Sequence, residues 1–180
     1  VGKKSAQRMA LYLLDKNKDG AKLLAQNMSE AIVSIKRCKN CRMLTTNELC
    51  FICNDISRNK KSICVVENPS DLLAIEATAE FKGLYFVLMG RLSPIDGITP
   101  ENLGIKSLID NVKQNEVNEI IIATSSTVEG DATAMYIRDN ISNVKITRIS
   151  YGIPIGGELD YVDGNTIARA IFGRREIDVN

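Results

Sequence analysis

The 180-residue chain has no histidine. That removes imidazole as general base, nucleophile or metal ligand, and excludes every His-dependent triad. There is no signal-peptide pattern and no apolar segment of membrane length, so a reducing cytoplasm is the expected compartment. Low-complexity runs are missing as well. With 44% hydrophobic and 25% charged residues, the chain can bury one real core and perhaps small satellites. Net charge is almost absent, at +1, but the figure hides an asymmetry. Residues 1–62 hold 13 Lys/Arg against 5 Asp/Glu, whereas residues 63–180 hold 10 against 17. A basic front and an acidic remainder suggest a nucleic-acid-facing part joined to a differently employed body; ordinary solvated charge is the competing reading.

What is present is more specific. Four cysteines are spaced Cys38-x2-Cys41-x8-Cys50-x2-Cys53 among Lys36, Arg37, Lys39 and Arg42. Two CxxC knuckles can bring four thiolates to tetrahedral distance around one ion, the arrangement of a structural zinc site. Four sulfur ligands leave no open position for water, so the ion would hold the fold rather than do chemistry. Two disulfides are the alternative, disfavoured in a reducing compartment. Cys64 lies outside the pattern, in the apolar run Ile63 to Val66, and reads as a small buried hydrophobe.

Periodicity divides the chain. A helical pattern begins at once, with Ala6, Met9, Ala10 and Leu13 on one side and Lys4 and Arg8 four apart on another. After the turn Asn17-Lys18-Asp19-Gly20, a second amphipathic helix places Ala21, Leu24, Ala25, Met28, Ile32 and Ile35 on its stripe. Beyond the knuckles, Arg58-Asn59-Lys60-Lys61 reads as a basic linker. From there strands alternate with helices. Strands are expected at Ile63–Glu67, Leu84–Leu88, Glu119–Thr124 and Val144–Ile149. Helices are expected from Pro69 through Ala79 and over 101–115, about 129–140 and about 163–172. Such alternation predicts an α/β fold, a largely parallel sheet flanked by helices and preceded by a small helical element and a zinc knuckle.

In open parallel sheets, ligands and functional groups gather at the carboxyl ends of strands. Glu67 ends the first strand of the series, and Glu129 and Asp131, separated by Gly130, follow the third. Carboxylates at neighbouring strand ends could hold Mg²⁺ through oxygen, although each one alone reads equally as a helix cap or a solvated charge. Together with Val65-Val66-Glu67 and Ala123-Thr124 they resemble the Toprim domain of topoisomerases, primases and some nucleases, in which a Glu and an acidic pair coordinate Mg²⁺. Glu129-x-Asp131 stands where those enzymes carry Asp-x-Asp, and no nucleophilic tyrosine arrangement is evident.

The order of several motifs extends the likeness over essentially the whole chain. Gly2 through Ala10, the four-cysteine knuckle, Leu92-Ser93-Pro94-Ile95-Asp96-Gly97-Ile98, Thr127 through Ala134, and Tyr151-Gly152-Ile153-Pro154 through Gly157 follow one another as in the RecR family of bacterial recombination mediators, which the chain resembles. Ser125-Ser126 departs from the Asn-Pro expected before Thr127, and a further N-terminal helix is expected ahead of Val1. The resemblance implies a helix–hairpin–helix DNA-binding region at 1–35, a zinc finger at 36–57, a Toprim domain at 62–157 and an oligomerisation segment at 158–180. It implies non-sequence-specific contact with single- and double-stranded DNA through Lys3, Lys4 and Arg8, and a homo-oligomer, dimer or tetrameric ring. It also implies action with RecO and RecF to load recombinase at single-stranded gaps, with Glu67, Glu129 and Asp131 as partner-binding residues rather than a catalytic centre. The rival expectation is an Mg²⁺-dependent Toprim nuclease or primase-like enzyme using the same three acids.

Overall fold

Asn17 separates the first two helices by turning its side chain into a cap: its Oδ1 accepts a hydrogen bond from the Gly20 amide at 2.9 Å. In the computed structural model, which describes residues 1–176, α1 (Lys3–Asp15) and α2 (Lys18–Ser34) form a helical hairpin. They lie in the first of two units, which covers Val1–Arg58; the second begins at Asn59. Neither helix buries a residue. Two amphipathic helices without a third layer cannot cover their apolar stripes, so Met9, Met28 and Ile32 stay exposed. The rest of this unit is built on the cysteines. Strands β1 (Lys36–Arg37) and β2 (Leu44–Thr45) pair antiparallel around the first knuckle, and the short helix α3 (Phe51–Asn54) carries the second.

The second unit is a four-stranded parallel sheet in the order β4-β3-β5-β6, with β3 at Asn59–Val66, β4 at Gly83–Val87, β5 at Glu119–Ala123 and β6 at Lys145–Arg148. Helices α4 (Pro69–Glu76), α5 (Ile105–Gln114) and α6 (Val128–Asn140) connect successive strands. The apolar run Ile63–Val66 is central and paired on both sides; it is fully buried, and so are Leu84–Val87 at the end of the strand order. Parallel strands covered on both faces require such continuous hydrophobic sequence. Leu72, Leu103, Leu108 and Ile137 close the core from the connections. Cys64 is buried, and burial pushes its thiol up to about 12.

Strand ends fall within a residue of expectation apart from one, and three boundaries differ by three residues or more. The basic stretch 58–61 is not a linker beyond Arg58: Asn59 donates its amide to Lys82 O and begins β3, whose exposed polar end runs past the core. The first connecting helix stops at Glu76, and the chain reverses at Ala79 with φ 58°. The helix expected over 101–115 starts only at Ile105, because Gly104 takes the left-handed φ of 68° that a turn ahead of it demands. The chain continues through a 3-10 turn (Leu159–Tyr161) to α7 (Gly164–Phe172), capped by Asp163, whose carboxylate accepts from the Thr166 amide. The last four residues of the expected 158–180 segment, 177–180, lie outside the described residues.

Candidate functional site

The cysteines meet as their spacing predicts. The Sγ atoms of Cys38, Cys41, Cys50 and Cys53 all lie within 4.8 Å of one another, with Cys41 and Cys50 3.5 Å apart. Tetrahedral zinc–sulfur bonds would separate sulfurs by about 3.8 Å, so the cluster has the size of such a site. Backbone geometry holds the first knuckle closed: the Cys38 amide donates to Met43 O, the Arg42 amide donates to Cys38 O, and Arg42 takes a φ of 66° to turn the chain. The second knuckle uses one helical turn, in which Cys50 and Cys53, three apart, share a face. The Cys50 amide donates to Cys38 Sγ at 3.3 Å, joining the two halves. No disulfide forms; all five cysteines are free. Crowding splits the thiols electrostatically. Hydrogen bonds from Cys41 and Cys53 hold the Cys50 thiol far down, while Cys41, bonded to Cys50 and Cys53 and buried, is pushed far up. A cation among the four sulfurs removes that conflict.

Lys3 and Lys4 stand in the first turn of α1 and Arg8 one turn on, all exposed. None of the three joins an ion pair among the described residues. The helix start has no side-chain cap and no acidic residue in its first turn. Its unsatisfied amides and its cations therefore add to the positive end of the helix dipole.

At the other site, strand order is decisive. From β3 the chain runs outward to β4 and then returns to β5 on the opposite side, so the carboxyl ends of β3 and β5 flank the topological switch point. Glu67 follows β3 and is only 6% exposed. Its Oε1 accepts from the Ser125 amide at 2.8 Å and from the Ser125 hydroxyl at 2.7 Å, and its Oε2 faces Arg91 Nη1 at 3.8 Å. Asp131, in the first turn of α6, meets Arg148 Nη1 at 2.6 Å through Oδ1 and Arg169 Nη2 at 3.7 Å through Oδ2. Arg148 also donates to Ser125 O at 2.9 Å, and the guanidiniums of Arg148 and Arg169 both lie against the Tyr151 ring. Glu129, like Asp131, is half-buried, whereas Glu67 is buried. Its own backbone amide and the Thr127 hydroxyl hold its carboxyl below the usual range. Among the described residues the three acids do not converge into a metal-sized cluster as the cysteines do.

Gly130 makes the loop possible. A Cβ there would sit 2.0 Å from Ser125 O, and the Thr124 hydroxyl donates to Gly130 O. Sequence reasoning passed over Arg91, Arg148 and Arg169 as site residues, and named Tyr151 and Ser125 only as parts of motifs, without a role in the site. For Arg148 a signal existed: it closes a strand, so it falls at the same sheet end as Glu67 and β5.

Comparison with known proteins agrees with this division. Four family models match in sequence: the RecR helix-hairpin-helix over residues 1–32, the RecR four-cysteine zinc finger domain over 35–55, the Toprim domain over 61–150 and the RecR C-terminal region over 152–175. The Recombination protein RecR of Saccharophagus degradans is 52% identical over 179 residues, covering 98% of this chain and 91% of that protein. A four-cysteine knuckle, a switch-point acidic loop and a likeness of that extent lead to one conclusion: the chain belongs to the RecR family of recombination proteins.

Proposed function

We propose that the chain is a non-enzymatic DNA-binding clamp and adaptor in recombinational repair, acting in the cytoplasm with RecO and RecF to load recombinase at single-stranded gaps. The observation that carries the non-enzymatic part is the pairing of Glu67 with Arg91 and of Asp131 with Arg148 and Arg169. A Mg²⁺ ligand must offer free oxygen lone pairs, and here guanidiniums already neutralise both carboxylates. As placed, these acids do not fit a divalent ion, and no chemical step is assigned to them. Glu129 carries negative charge outward and suits docking of a basic protein surface, while Asp131, held by Arg148 and Arg169, frames that surface beside it. Glu67 contributes from beneath by fixing the Ser125 loop.

Lys3, Lys4 and Arg8 serve as the DNA contacts in this reading. Cations at an uncapped helix start hold backbone phosphates without reading bases, so single- and double-stranded DNA are both bound. Cys38, Cys41, Cys50 and Cys53 hold one structural zinc that keeps the second half of the basic unit folded. Assembly into a homo-oligomer gives the uncovered stripes of α1 and α2, and Ile171 and Phe172 on α7, somewhere to be buried.

One experiment tests the adaptor reading. Purified chain incubated with labelled DNA and Mg²⁺ or Mn²⁺ is expected to leave the DNA intact. Glu129→Ala is expected to weaken RecO association while sparing DNA affinity. Cleavage that disappears in Glu129→Ala would overturn the reading in favour of a Toprim nuclease.

A further inference from the structure

Beside Glu129 lies a concavity that the adaptor reading does not by itself use. The loop from Leu92 to Pro100 and the first turn of α6 enclose a cleft of about 650 Å³. Its walls are apolar, yet two of its side chains stand almost wholly in water: Ile95 is 98% exposed and Val128 84%. A single exposed aliphatic residue is ordinary, whereas several directed into one concavity are not.

The loop is built to hold them there. Ser93 and Ile98 exchange backbone hydrogen bonds at 3.2 and 2.9 Å, and the Ser93 hydroxyl donates to Asp96 Oδ2 at 2.7 Å, which fixes the turn carrying Ile95. The Leu92 amide donates to Thr133 Oγ1 at 2.9 Å, tying the loop's start to α6. Among the described residues the cleft is lined by acid and not by Lys or Arg: Glu129 is its one ionisable lining residue, Asp96 repels Glu129 from the loop side, and Glu101 follows Pro100. The cation that acts on Glu129, Arg91, is itself engaged with Glu67 and Ser125. A purely aliphatic guest would bring these carboxylates no counter-charge beyond Arg91, and an anionic guest would be repelled.

We propose that this cleft is the docking site for a segment of a partner protein in which a bulky apolar side chain is flanked by lysine or arginine. The apolar side chain fills the cleft between Ile95, Ile98 and Val128, and the flanking cations meet Glu129 and Asp96. The proposal rests on the reading of this sheet end as a protein-docking surface, and adds the chemistry of the guest.

The test uses the full chain with ¹³C-labelled methyl groups and three hexapeptide probes: two leucines between lysine pairs, two leucines between glutamate pairs, and two alanines between lysine pairs. The first is expected to shift the Ile95, Ile98 and Val128 methyls saturably. The other two should bind about five-fold more weakly or worse. No response to any probe, or an equal response to the glutamate-flanked or alanine probe, overturns the proposal. Val128→Asp places an acid in a helical first turn, where it is well tolerated, so the fold is expected to survive. It should cost the lysine–leucine probe about five-fold or more in affinity and leave DNA binding unchanged; an undiminished probe response overturns the proposal. RecO association measured on the same variant separates the two readings. Parallel loss supports both; intact RecO association overturns the cleft as the partner site and leaves the adaptor reading standing. A wild-type chain that binds the probe and never RecO overturns the adaptor reading alone.

Discussion

Ser125 and Gly130 show how much of the acidic loop depends on two small residues. Ser125 spends its amide and its hydroxyl on one oxygen of Glu67, and its carbonyl takes a hydrogen bond from Arg148. The same carbonyl lies where a side chain on residue 130 would begin. Gly130→Ala is therefore expected to push the Ser125 turn off Glu67, because backbone rather than a flexible side chain must yield. The cost should be about 1–3 kcal/mol, the range for overpacked sites, read as a lower denaturant midpoint with an unchanged slope. A variant as stable as the parent would show that the turn gives way freely. Arg148 is the other residue that organises the loop, and its Nε is buried without a hydrogen-bond partner among the described residues. Its remaining contacts, to Asp131, Thr124, Ser125 and Tyr151, are what hold it in place.

At the scale of elements, what was legible in the sequence was what is local. The knuckles could be read because Cys38, Cys41, Cys50 and Cys53 fall within 16 residues, so spacing alone brings the sulfurs together. The parallel sheet could be read because Ile63–Val66 and Leu84–Leu88 are continuous apolar runs, the mark of strands covered on both faces. The start of β3 at Asn59 was hidden, since its polar residues extend the ladder beyond the core and carry no periodic signal. The arginine partners of the acids were hidden for another reason. Arg91, Arg148 and Arg169 reach Glu67 and Asp131 across 24, 17 and 38 residues, and only the tertiary fold (the strand order for Arg91 and Arg148, the placement of α7 for Arg169) brings them near. The knuckle itself yields a sharp expectation. Cys50→Ser should drop bound zinc from about one ion per chain to near zero in a metal-release assay. Far-ultraviolet circular dichroism should then show loss confined to the small basic unit, with the sheet's cooperative transition kept. Full zinc occupancy in the variant would remove Cys50 from the ligand set.

For the whole molecule, the charge division found in the sequence runs close to the structural one. The unit that ends at Arg58 carries the exposed cations of α1 and the knuckles, and the acidic remainder carries the sheet. DNA affinity should accordingly be governed by counterion release from the first unit. Replacing Lys4 and Arg8 together by Ala is expected to flatten the plot of log affinity against log salt by about two phosphate contacts, roughly 1.8 in slope on duplex DNA. The weakening should be uniform across DNA sequences, and an unaltered slope in filter-binding titrations would take both residues out of the interface. The position of β3 between β4 and β5 has a further consequence, during synthesis. Its run Ile63–Val66 leaves the ribosome well before residues 119–123 follow it out to cover its second edge. At ordinary translation rates that interval lasts about 3 to 10 seconds, during which an apolar strand edge stands open on the nascent chain.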